Sequence, residues 1–70
     1  MKILLTGANG LVGQKIKAEL AGISEVELTA TSLHPEIHAL NGPYTFETLD
    51  ISSLAYLEDA IAKYQPEVII

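Results

Sequence analysis

Close to its start the chain carries Gly7-Ala8-Asn9-Gly10-Leu11-Val12-Gly13, three glycines at three-residue spacing. No other feature limits the fold so tightly, because of what flanks it. Before it, Lys2–Thr6 (KILLT) is a short apolar run ended by glycine, the pattern of a buried parallel strand. After it, Leu11–Ala21 has helical spacing, with Leu11, Val12, Ile16 and Leu20 near one face and Gln14, Lys15, Lys17 and Glu19 elsewhere. Gly22 is a stop signal just past the last periodic residue. A strand, a glycine turn and a helix therefore follow one another without a gap.

In that setting each glycine has a physical task. Gly7 permits a sharp turn, Gly10 lets the backbone approach a pyrophosphate, and Gly13 lets the helix pack closely. The free N–H groups and the positive end of the helix dipole then favour phosphate charge. The spacing points to a dinucleotide; a structural glycine turn without a ligand is the alternative. A nucleoside-triphosphate phosphate loop is excluded, because no Gly-Lys-Ser/Thr follows.

The rest of the chain continues the alternation. Val26–Thr31 (VELTAT) is β-branched and reads as a second strand. Residues 33–43 are irregular, broken by His34-Pro35 and Asn41-Gly42-Pro43. Thr45–Leu49 reads as a third strand. Ser53–Tyr64 reads as a helix with Leu54, Leu57, Ile61 and Tyr64 on one face and Ser52 or Ser53 as N-cap. Beyond Pro66, Glu67–Ile70 begins a fourth strand. The order β-α-β-β-α-β, with apolar strands and amphipathic helices, predicts an α/β fold. Specifically, it predicts the N-terminal half of a doubly wound parallel sheet, with residues 1–70 as part of one NAD(P)-binding Rossmann domain cut within its fourth strand.

Composition excludes several classes. With 70 residues the chain is about half a usual domain. It has no cysteine, so neither a disulfide nor a thiolate metal site is available. His34 and His38 alone make a poor metal site, and no metal is expected. Nine acidic against four basic residues argue against nucleic acid. No apolar run approaches the roughly 18 residues that span a membrane. No signal peptide is visible, so a cytoplasmic protein is expected. Exposed Val68, Ile69 and Ile70 at a cut sheet are expected to drive association, including a homodimer.

Thr6–Gly13 (TGANGLVG) resembles the T-G-x-x-G-x-x-G motif of short-chain dehydrogenases/reductases, and MKILLTGANGLVGQ resembles their extended branch. GANG, Leu49-Asp50-Ile51 and Tyr64–Ile70 (YQPEVII) most resemble the dTDP-4-dehydrorhamnose reductases. The resemblance implies an NAD(P)-dependent oxidoreductase that reduces the 4-keto group of a nucleotide-activated sugar. It implies cofactor contacts at Gly7, Asn9, Gly10, Leu11, Val12 and Gly13. It also implies that Asp50 accepts a hydrogen bond from the adenine amino group while the Ile51 backbone flanks the ring. The alternative for Asp50 or Ser52 is to cap the second helix.

An acid about 20 residues past the glycines would bind the ribose diol and favour NAD. Thr31-Ser32-Leu33-His34 stands there instead. The hydroxyls of Thr31 and Ser32 suit a 2′-phosphate, but no arginine is present to clamp it. NADP is therefore favoured over NAD. His34 is read as an exposed loop residue in preference to a cofactor contact, and His38 as solvated. Tyr44 and Phe46 are expected to pack around the third strand, Tyr56 and Tyr64 to line a helix face, and Glu58 and Asp59 to be solvated.

The resembled family's Tyr-x-x-x-Lys has no match, since Ala60 and Val68 stand four residues after Tyr56 and Tyr64. No catalytic residue is therefore expected in this chain. An epimerase or dehydratase of the same branch, or a non-catalytic Rossmann regulatory subunit, remain as alternatives. Residues 1–70 alone are predicted to show no turnover; cofactor-dependent sugar reduction by this piece, followed by nicotinamide absorbance, would contradict that.

Overall fold

A computed structural model describes all residues from Met1 to Ile70. Its elements are β1 (Lys2–Leu5), α1 (Leu11–Ala21), β2 (Glu27–Ser32), β3 (Thr45–Thr48), α2 (Leu54–Tyr64) and β4 (Val68–Ile69). The strands form one sheet in the order β3-β2-β1-β4, with every pairing parallel. The expected α/β order is thus realised, with strand ends shifted by a residue or two. The chain steps outward from β1 to β2 to β3, then returns across the sheet to the far side of β1. Right-handed crossovers in opposite directions place α1 and α2 on opposite faces.

The α1 face carries the main core. Ile3, Leu5, Ala8, Leu28 and Ala30 form a buried cluster, and Ile16, Leu20, Tyr44 and Phe46 pack against it. Leu4 and Thr31, which point to the other face by strand alternation, are also fully buried. The α2 face is thinner, with Ala60 its buried helical residue. Leu54 and Ile61 are exposed, which corrects the expected apolar face of α2. The stripe that faces the sheet runs instead through Leu57, Ala60 and Tyr64. Val68, Ile69 and Ile70 lie exposed along the β4 edge. No helix is long and apolar enough to cross a membrane.

The face expected for α1 is also corrected. Leu11 and Val12 are 78% and 69% exposed, whereas Lys17 is 1% exposed. Burying an ammonium costs several kcal/mol unless it is paired and hydrogen-bonded. Here Lys17 Nζ donates to Glu36 Oε2 at 2.8 Å and to the His38 carbonyl at 2.6 Å. It also sits 5.9 Å from the ring centroids of both Tyr44 and Phe46. The Tyr44 hydroxyl donates to Glu36 Oε2 at 2.6 Å and accepts from the Leu40 amide at 2.8 Å. The connection between β2 and β3 is thereby fastened over α1.

This cluster makes stability acid-sensitive. Desolvation raises the pKa of Glu36, but hydrogen bonds from Lys17 and Tyr44 and the Lys17 charge outweigh it and hold the carboxyl below its ordinary 4.5. A pKa depressed by folding adds stability that is complete above the unfolded value and is lost as pH falls through the folded one. Glu36→Gln is predicted to remove part of that acid limb in urea unfolding followed from neutral pH to about pH 3. Lys17→Met, which strands the carboxylate, is predicted to cost about 3 kcal/mol at neutral pH in the same measurement.

Candidate dinucleotide-binding site

Because all four strands are parallel, their C-terminal ends share one edge of the sheet. β1 lies between β2 and β4, where the crossovers diverge, and such a switch point is where open α/β sheets bind ligands. The glycine turn sits there. Gly7 has φ +66°, the left-handed region that disfavours a side chain. Its carbonyl accepts from the Gly10 amide at 3.0 Å, and the buried Ala8 donates to the Thr31 carbonyl at 2.9 Å. A Cβ on Gly13 would lie 2.0 Å from the Gly7 oxygen and 2.9 Å from the Ala8 Cα. Helix α1 therefore touches the turn backbone to backbone.

The start of α1 is open. Gly10 is its N-cap and offers no side-chain acceptor. The Gln14 amide reaches the Gly10 carbonyl at 2.8 Å, while the amides of Leu11, Val12 and Gly13 meet no acceptor in the chain. No acidic residue stands in that first turn. Helix α2 differs, since Ser53 caps it by accepting from the Tyr56 amide. Three unsatisfied donors at the positive end of a helix favour an anion, which makes this turn the candidate site. Exposed Leu11 and Val12 flank it.

The expected site residues fall into three groups. Gly7, Gly10, Leu11, Val12 and Gly13 surround the open amides. Ser32, Asp50 and Ile51 stand at or just past the next two strand ends, which the register Leu5↔Ala30 and Ser32↔Thr48 aligns with the turn. Neighbouring strands lie about 4.8 Å apart, so the three loops span roughly 10 Å. Thr31 and Asn9 are turned to internal work. The Thr31 side chain is fully buried and its hydroxyl donates to the Leu5 carbonyl at 2.8 Å. Asn9 Nδ2 donates to the carbonyls of His34 and Pro35, and its Oδ1 accepts from the Ile37 amide.

Asp50 is not the cap of α2. Its Oδ1 accepts from the amide and the hydroxyl of Ser52, which lowers its pKa and keeps it ionised. Its second carboxylate oxygen makes no hydrogen bond within the chain and stays available as an acceptor. A cavity of about 370 Å³ opens beside it, lined by Leu33, Leu49, Asp50, Tyr56 and Lys63 among others. A larger hollow of about 670 Å³ lies at the opposite ends of the strands, away from the glycine turn. Tyr64 borders that one. Hydrogen bonding to Glu47 and desolvation push its hydroxyl upward, the wrong direction for a proton shuttle near neutral pH. His34 and His38 are exposed, and no cluster of His, Asp and Glu could hold a metal ion.

Periodicity missed Lys17, yet one signal was present. Lys17 lies one helical turn after Gly13 on the same stripe, so a helix that presses Gly13 against the turn must also point Lys17 inward.

The close contact at Gly13 separates two otherwise similar glycines. Gly13→Ala is predicted to cost about 3 kcal/mol, since its Cβ meets rigid backbone. At Gly10 the added Cβ would lie 3.3 Å from the Gly7 oxygen, and Gly10→Ala should cost below about 1 kcal/mol. Chemical unfolding of the two variants checks the ranking.

The comparisons with known proteins agree with this geometry. The family model described as "NAD dependent epimerase/dehydratase family" matches residues 3–70. A dTDP-L-rhamnose 4-epimerase of Burkholderia thailandensis is 30% identical over 76 residues, an overlap of 99% of this chain and 21% of that protein. The chain thus spans about a fifth of the length of the curated relative it matches. With the parallel order β3-β2-β1-β4, the open glycine turn at its switch point and a family match over nearly the whole length, the chain belongs to the NAD-dependent epimerase/dehydratase family.

Proposed function

We propose that residues 1–70 form the dinucleotide-binding half of one NAD(P)-binding domain, in an enzyme that reduces the 4-keto group of dTDP-4-dehydrorhamnose. The observation that carries the cofactor half of this reading is the set of free amides on Leu11, Val12 and Gly13. They hold the pyrophosphate, and Gly10 keeps the approach clear. Ser32 and the amides of Leu33 and His34, which have no acceptor in the chain, face the adenosine ribose. Asp50 accepts from the adenine amino group through its free oxygen, with the Ile51 backbone beside the ring. Asn9 and Thr31 act from behind, through the bonds that shape the turn. The dinucleotide supplies hydride exchange with the sugar. No acid ends β2 to receive the ribose diol, which supports NADP over NAD.

The reductase reading rests on the resemblance carried by TGANGLVG, Leu49-Asp50-Ile51 and YQPEVII. A second reading, a 4-epimerase of a dTDP-sugar, is favoured by the relative from Burkholderia thailandensis. The two share the sugar position and differ in the fate of the cofactor. A reductase consumes one reduced dinucleotide per turnover, whereas an epimerase leaves its cofactor unchanged. The full-length protein mixed with NADPH and dTDP-4-dehydrorhamnose is predicted to lose nicotinamide absorbance in step with product. Redox-neutral interconversion of dTDP-L-rhamnose and its 4-epimer would replace the reductase by the epimerase. Failure to bind either dinucleotide would overturn both.

A further inference from the structure

No backbone–backbone hydrogen bond involves any residue from 33 to 43. The β2–β3 connection leaves the end of β2 at the proposed ribose position and is held in place by side chains alone. Asn9, from within the glycine turn, makes three bonds to its first half, through the carbonyls of His34 and Pro35 and the amide of Ile37. Lys17, from the buried face of α1, makes two more, to Glu36 and the His38 carbonyl. Tyr44 ties Glu36 to the Leu40 amide. Hydrogen bonding to the rest of the molecule thus comes down to three residues outside the loop.

We propose that Lys17, with Tyr44 and Asn9, is a positioning residue for the adenosine ribose of the cofactor, acting only through the conformation of the 33–38 segment. This rests on the cofactor reading given above. Lys17 is buried and its charge is matched by Glu36, so it lends the ligand no direct attraction. Its effect is preorganisation: Leu33 and His34 present their amides beside Ser32 because the segment after them is already fixed. A segment ordered in advance does not have to lose that freedom when the ligand arrives. Asn9 adds a link between subsites, because the turn that meets the pyrophosphate also grips the loop that meets the ribose.

The test uses the full-length protein and two probes, NADPH and adenosine 2′,5′-bisphosphate, the second reporting the adenosine end alone. Lys17→Met is expected to weaken both by about tenfold, the equivalent of roughly 1.4 kcal/mol. Tyr44→Phe, which removes one hydroxyl and is the milder change, is expected to move both in the same direction by less. In turnover the KM for the dinucleotide should rise while kcat at saturating cofactor is retained, and amide exchange at residues 33–38 should quicken. A purely structural role would lower kcat and all affinities together or leave the adenosine probe unaffected, and either result overturns the inference. If Lys17→Met does not fold, Tyr44→Phe and Glu36→Gln decide by the same measurements. Wild-type protein that binds NADPH while the variants bind equally well overturns this inference alone; wild-type protein that binds neither probe is measured with NADH and adenosine 5′-monophosphate in their place, and failure to bind these too overturns the cofactor reading with it.

Discussion

The backbone contact between Gly13 and Gly7 is the constraint on which the other features of the site depend. A side chain at Gly13 would intrude to 2.0 Å from the Gly7 oxygen, so α1 can lie this close to the end of β1 only with glycine there. That closeness places the first turn of α1 over the switch point of the sheet. It also points Lys17, one turn later, into the space between helix and loop. The left-handed Gly7 and the bond from Ala8 to the Thr31 carbonyl fix the turn from the other side. The open amides follow from this packing and from an N-cap with no side chain.

Lys17 shows how far local pattern reasoning reaches. Helical periodicity sorts residues by polarity, and a lysine is placed outside. The tertiary structure overrides that preference because the connection from 33 to 43 has no ladder of its own and must satisfy its polar groups elsewhere. A long aliphatic stem passes along the apolar face and delivers an ammonium to Glu36 and His38. Leu11 and Val12, in contrast, are left exposed beside the open amides. The partner Glu36 lies in an irregular segment, so no spacing rule connects it to Lys17.

Much of the fold was legible because its signals are local. Buried parallel strands read as apolar runs, α1 was bounded by a glycine at each end, and Pro66 marked the end of α2. Gln65 takes the left-handed conformation there, with its amide on the Ile61 carbonyl. The glycines of the site were legible for the same reason, since their spacing encodes a turn. Side-chain roles at the strand ends were not. Thr31 and Ser32 look alike in sequence, but strand alternation buries the first against Leu5 and leaves the second partly open. The capping choice between Asp50, Ser52 and Ser53 was equally hidden, because all three chemistries suit the role and only backbone geometry selects Ser53.

Charge sharpens the meaning of the open helix start. The chain carries −5 overall, has no arginine, and has only four lysines. Lys2 begins β1 at the opposite end of the sheet, Lys15 is exposed on α1 beyond its first turn, Lys17 is neutralised by Glu36, and Lys63 lies beside Glu47 at 3.8 Å. An anion at the glycine turn would therefore meet backbone amides and the helix dipole, with no arginine to clamp it. Such donors cannot swing toward a displaced ligand as a lysine can. Recognition of an anion there would depend on the placement of α1, which returns the electrostatics of the turn to the space left by the missing side chain at Gly13.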